Sequence, residues 1–197
     1  KEEIIKGKYE PGSRIVIHSL ARSYGFSEIP VREALKTLEA EGFVSNTPHV
    51  GFIVTKPNFE AQSQVFEVRQ LLEGQAVWMA ARAMAPEALA TLKNLVEEMK
   101  GCSSSDLIRL AQLNYQFHDL IYFSCGNPIL YNLIKQVWAM APRSRSIFSL
   151  VKGRAQSSVR EHVEIYRHLA AGDAERAKQA LVHHKQKSYD MLARLAR

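Results

Sequence analysis

Asn114 and His118 stand four residues apart in a stretch of helical periodicity, so both leave one helix in the same direction. His162 and His184 lie on two later helical segments that could converge on them. Three imidazoles with one oxygen donor suit zinc, nickel or another divalent transition metal, with open positions left for a ligand. His183 adjoins His184, so the register there stays open by one residue. A histidine on an amphipathic helix is also commonly a hydrogen-bonded, half-buried residue, and the chain has seven. Arg69 is the second chemical feature. Its guanidinium, on a mainly apolar helix face, could receive an effector carboxylate bidentately or pair with Glu73 one turn on. Arg143 and Arg145 are further candidates of the same kind.

The elements that must position these residues are helices. From Asn58 onward strand signals disappear, and helical periodicity runs roughly over 59–84, 86–100, 104–124, 128–150, 156–171 and 173–196. Pro86, Gly101, Gly126-Asn127-Pro128, Gly153 and Gly172-Asp173 punctuate them, and Asn58, Asn127 and Asp173 have the chemistry of N-caps. Lys56-Pro57-Asn58 reads as a short linker. Tyr115, Phe117, Tyr122, Phe123, Tyr131 and Trp138 are assigned to the core.

The first sixty residues read differently. Ile4 and Ile5 end a short first helix that breaks at Gly7, so the natural chain is expected to begin upstream of Lys1. Pro11-Gly12 is a turn, and Ile15, Ile17, Leu20 and Ala21 form the apolar face of a helix ending near Gly25. Ser27 is then an N-cap and Pro30 sits in the first turn. Val31, Ala34, Leu35 and Leu38 follow at helical spacing, and Gly42 provides a left-handed stop. Phe43-Val44-Ser45 and Gly51-Phe52-Ile53-Val54 are β-rich runs around a tip carrying His49. That order is the one a winged helix-turn-helix uses to lay a helix in the DNA major groove.

Bulk properties permit this reading without selecting it. Net charge is +6, which suits a polyanion. Residues 1–56 carry 8 Lys/Arg against 7 Asp/Glu, while 57–197 carry 18 against 13, so charge alone would not place the DNA reader at the front. No apolar run approaches the roughly 20 residues of a membrane span. No signal peptide is visible, and Cys102 and Cys125 lack zinc-type spacing, so a reduced cytoplasmic thiol pair is expected.

Pro11-Gly12, Leu20-Ala21, Gly25-x-Ser27, Pro30-Val31-Arg32-Glu33-Ala34-Leu35, Leu38, Glu41-Gly42 and Gly51-x-x-Val54 resemble the GntR family of bacterial transcription regulators. The resemblance implies that Ser27, Arg32 and the wing around His49 and Gly51 meet an operator. The family usually has Arg directly after the Ser, whereas this chain has Glu28. A carboxylate repels phosphate and only accepts hydrogen bonds, which cytosine N4 and adenine N6 alone can donate among major-groove edges. The expected operator is therefore an unusual one, or one bound more weakly with the help of Arg22, Arg32 and Lys36.

Val68-Arg69-Gln70-Leu71-Leu72-Glu73, Asn114-x-x-Phe117-His118, Gly126-Asn127-Pro128, Glu161-His162-x-x-Ile165 and Ala171-Gly172-Asp173 with His184 resemble the FCD sensor domain of one GntR subfamily. Carried over, the resemblance implies a metal site of Asn114, His118, His162 and His184. The first position is often Asp in such domains, and an amide oxygen is a poorer ligand than a carboxylate.

These readings converge on a mainly α chain. Residues 1–56 form a winged helix-turn-helix, and residues 57–197 form an all-α bundle of about six helices for effector binding and dimerisation. The expected function is a cytoplasmic, ligand-responsive transcription regulator, a repressor acting as a homodimer on operator DNA, with a divalent metal as cofactor and a small carboxylate as effector. One alternative is a helical metalloenzyme in which Glu161 serves the histidine cluster as base. Another is the same regulator with a metal-free effector pocket.

Overall fold

The computed structural model describes residues 1–5, 7–55, 59–103, 106–140, 148, 151 and 153–195. Among these are nine helices and one two-stranded sheet. Helix α1 (Glu2–Ile5) is a single turn that stops before Gly7, whose φ of 81° is left-handed. Helix α2 (Ile17–Tyr24) ends at Gly25, and the Phe26 N–H reaches back to the Ala21 carbonyl. That closure lets α3 (Glu28–Ala40) leave in a new direction.

Val31 and Leu35 form the buried face of α3, with Leu38 packed beside them. Ala34 is exposed, so the buried stripe is narrower than its spacing predicts. Ser27 has the extended N-cap backbone, but its hydroxyl makes no capping hydrogen bond. It is exposed, and water can serve the orphan N–H groups there instead.

The wing pairs β1 (Val44–Thr47) antiparallel with β2 (Gly51–Val54), in register from Val44↔Val54 to Thr47↔Gly51. Pairing thus extends further toward the tip than the β-rich run of the sequence does. The Val50 N–H donates to Thr47 O at 3.1 Å, closing a turn with Pro48 and His49 at its centre. His49 has φ 63°, the value the third position of a type II turn requires after proline. The other edge of β2 is covered by the chain at residues 12–15, through Gly12 N–H to Val54 O and Ile15 N–H to Phe52 O. Ile4, Ile15, Ala21, Val31, Leu35, Phe43, Val44, Phe52 and Val54 make one core.

Six helices follow: α4 (Phe59–Ala83), α5 (Pro86–Gly101), α6 (Leu107–Phe123), α7 (Pro128–Met140), α8 (Arg154–Ala170) and α9 (Ala174–Leu195). Asn127 and Asp173 cap as expected: Leu130 N–H donates to the Asn127 side chain and Arg176 N–H to that of Asp173. Asn58 lies outside the described residues. The second core is centred on Ala76, Val77 and Ala80 of α4, Leu113, Phe117 and Ile121 of α6, and Ile165 and Leu181 of α8 and α9. Gly74 lies where α4 passes α9, and a Cβ there would meet Val182 at 3.5 Å. Cys102 and Cys125 are both free.

Candidate effector site and DNA-binding face

Among the described residues, polar groups interrupt the bundle core at one place. His118 on α6, His162 on α8 and His184 on α9 are all buried, and their candidate ligand atoms lie within 4.8 Å of one another. His184 is the inward residue, while its neighbour His183 is exposed, which fixes the register.

The hydrogen bonds decide which nitrogens are available. His162 Nδ1 is 2.6 Å from the Ser158 carbonyl, an acceptor only, so this nitrogen carries the proton and Nε2 keeps a lone pair. His184 Nδ1 is 2.7 Å from Glu161 Oε2. Arg154 Nη2 stands 3.1 Å from the same nitrogen, but a guanidinium only donates, so the Nδ1 proton serves Glu161. Arg154 Nη2 donates instead to Glu161 Oε2 and to Ser188 Oγ, each at 2.7 Å. His118 Nε2 lies 3.2 Å from His162 Nε2, and His118 Nδ1 is buried without a partner among the described residues. Three neutral imidazoles, two of them oriented through Nδ1 with Nε2 left over, form a donor set that suits a divalent transition metal.

Burial pushes all three imidazoles down from their ordinary value, aided by the Lys185 ammonium; for His184, Glu161 opposes this and the result is about 4. They are therefore neutral at physiological pH, the protonation state a ligand needs.

A buried carboxylate adjoins the triad. Glu73 Oε1 accepts from Arg69 Nε at 2.7 Å and Trp138 Nε1 at 2.7 Å. Its Oε2 accepts from Tyr122 OH at 2.6 Å and pairs with Lys185 Nζ at 3.2 Å. Burial alone would raise this carboxyl, but Lys185, Arg69 and the Tyr122 hydroxyl hold it far below the usual range. Lys185 is pushed down to about 8 by burial against the pull of Glu73. Arg69 thus makes the Glu73 pair, one of its two predicted roles. Only Nε is engaged in hydrogen bonding among the described residues, so the outer edge of the guanidinium is left over, with the side chain 26% exposed. Among the described residues, Arg69, Lys185 and Arg154, with the more exposed Lys187, share two carboxylates, Glu73 and Glu161. The balance leaves room for an anion.

Asn114, one turn before His118 on α6, is half-buried. Arg143 and Arg145 lie outside the described residues. Glu73, Lys185 and Arg154 are the members that sequence reasoning did not assign to the site. Glu73 and Arg154 had a signal: Glu73 shares a helical stripe with Ala76, Val77 and Ala80, and Arg154 one with Ser158, His162 and Ile165.

On the front domain, Arg22, Ser27, Glu28, Arg32, Lys36 and His49 are all exposed, with Gly51 half-buried at the base of the wing. Glu28 is held by His18 of α2, Nδ1 to Oε1 at 3.1 Å, and Lys36 by Glu33 at 2.9 Å.

Residues 1–54 match the family model described as bacterial regulatory proteins, gntR family, and residues 64–187 match the FCD domain. The chain belongs to the GntR family of bacterial regulatory proteins, in the subfamily with an FCD domain. It is 30% identical over 189 residues to the uncharacterized HTH-type transcriptional regulator YdhC of Bacillus subtilis, covering 93% of this chain and 83% of that one. It is 29% identical over 185 residues to the HTH-type transcriptional regulator McbR of Escherichia coli, covering 93% and 82%. The solved structure of E. coli McbR/YncC superposes with a TM-score of 0.76 at 26% identity, covering 99% of this chain and 93% of that chain. Family and relatives alike are DNA-binding transcription regulators rather than enzymes, so the metalloenzyme alternative falls. GntR-family regulators are dimeric, and FCD domains bind metals in some of their members. No helix among the described residues is long and apolar enough to cross a membrane.

Proposed function

We propose that this regulator is a cytoplasmic, ligand-responsive repressor in which residues 1–56 read an operator and residues 57–197 sense a small carboxylate. The observation that carries the sensing role is the buried cluster of His118, His162 and His184 beside Arg69 and Lys185. His118, His162 and His184 would hold a divalent metal, zinc or nickel by donor type, with Asn114 as a neutral fourth donor one turn before His118. Such an ion, when bound, supplies Lewis-acid attraction for an anionic oxygen.

The chain's own groups do the rest. Glu161 and the Ser158 carbonyl hold two of the imidazole rings by their Nδ1 protons. Glu73 anchors Arg69 through Nε, which presents the outer guanidinium edge to a carboxylate. The Lys185 ammonium adds a second positive charge from α9. The effector acts by favouring one placement of the paired wing domains over another, and only a difference in its affinity for the two can drive that shift. At the DNA, Arg32 and Lys36 on α3, Arg22 on α2, Ser27 and the His49–Gly51 wing form the contact face, with Glu28 able to accept from cytosine N4 or adenine N6.

The test is operator release. Duplexes enriched from a random pool by the purified full chain are titrated with the zinc-loaded protein, with and without citrate as a carboxylate probe. Weaker binding with citrate, absent in Arg69→Ala, is the expected result. Equal binding with and without a panel of small carboxylates would overturn the carboxylate sensor and leave the DNA-binding regulator intact.

A further inference from the structure

Ile29 is the most exposed large apolar side chain in the described structure, at 76%. It occupies the second position of α3, the helix that a winged helix-turn-helix presents to DNA. An isoleucine there gains nothing from packing and loses χ1 freedom in a helix, so neither burial nor propensity accounts for it. Its spacing places it on one outward stripe with Arg32, Glu33 and Lys36, at i, i+3, i+4 and i+7, all exposed. Arg32 and Lys36 are the cations of that stripe, and Lys36 is already paired with Glu33. The N-terminal residues of a recognition helix are those that reach base edges. Among major-groove edges the apolar group is the thymine 5-methyl; every other feature is a hydrogen-bond donor or acceptor.

We infer that Ile29 is a specificity-determining residue that packs on the 5-methyl group of one thymine in each operator half-site. The inference rests on the DNA-contact face proposed above, and it assigns that face a hydrophobic readout beside its polar ones. Glu28 precedes Ile29 and can only accept, from cytosine N4 or adenine N6, so the first turn of α3 sets a polar reader beside an apolar one.

Replacing thymine by deoxyuridine removes the methyl group and nothing else, which makes the test atomic. Duplexes are enriched from a random pool with the full chain, and each thymine of the enriched site is replaced singly by deoxyuridine. Binding is measured by anisotropy at low salt, where phosphate contacts keep weakened complexes measurable. The wild-type chain should lose about fourfold in affinity at one thymine per half-site, the worth of one buried methyl group. Ile29→Ala should bind the thymine and deoxyuridine duplexes equally at that position, with an unchanged melting curve because the side chain is exposed. Deoxyuridine effects that are absent, or equal in wild type and Ile29→Ala, would overturn the assignment. Failure to enrich any duplex would instead remove the DNA-contact face itself, and this inference with it.

Discussion

The Nε2 atoms of His118 and His162 face each other across 3.2 Å in a site where burial keeps both imidazoles neutral. The Nδ1 proton of His162 is committed to the Ser158 carbonyl, so its Nε2 offers a lone pair. In the protein alone His118 must donate to that lone pair from Nε2, which leaves its own Nδ1 unsatisfied. A cation between the rings would take the place of that shared proton, with the His118 proton moved to Nδ1.

Zinc should therefore stabilise the fold. With chelator-stripped protein, metal at about a hundred times its dissociation constant adds roughly 2.7 kcal/mol, or several degrees of melting temperature. Calorimetry should show that rise in the wild type and lose it in His118→Ala. A wild type that melts unchanged with zinc and nickel would leave a metal-free pocket around Arg69.

Acid should weaken the stripped protein in a defined window. His184 titrates near 4 when folded, against an ordinary value of 6.5 when unfolded. Between those values the unfolded chain takes up a proton that the native state refuses, so stability falls as pH drops from 6.5 and the loss is complete below about 4. A shift of that size corresponds to about 3 kcal/mol. Urea unfolding at pH 7 and pH 5, compared with His184→Gln, should show a smaller acid loss in the variant.

Glu73→Ala should be among the costliest single changes in the bundle. It leaves Arg69 and Lys185 without their buried counter-charge, at a cost of about 3–5 kcal/mol. Glu67→Ala, on the same helix but exposed, should change stability by about 0.5 kcal/mol or less. Thermal unfolding of the two variants side by side checks the contrast.

Arg32→Ala should leave the melting curve unaltered and cost about 1–3 kcal/mol of DNA binding, with relaxed specificity at one operator position. A loss that is uniform across sequences, with a shallower salt dependence, would make Arg32 a phosphate contact instead.

The wing fold was legible in the sequence because its turn residues are restrictive: Gly25 and Gly42 have left-handed φ where the helices stop. The three histidines were legible through their order on separate helices. The charges around them were harder to see, since Glu73, Arg154 and Lys185 belong to residue types that normally face solvent. Arg154 falls on the stripe of Ser158, His162 and Ile165, but only tertiary packing reveals that it shares the Glu161 carboxylate with His184. Ser27 does stand at the N-cap with the extended backbone of that position, but its exposed hydroxyl makes no capping hydrogen bond, a detail that residue type does not decide.

Glu73 belongs to α4, and its donors Tyr122, Trp138 and Lys185 come from α6, α7 and α9. Four helices thus converge on one buried anion, while the apolar core and the Gln70–Gln186 and Phe66–Tyr189 contacts bind α4 to α9 along their length. No one of the four can draw away from Glu73 without taking a donor or the anion itself out of that cluster. The carboxylate is a polar keystone in an otherwise apolar arch.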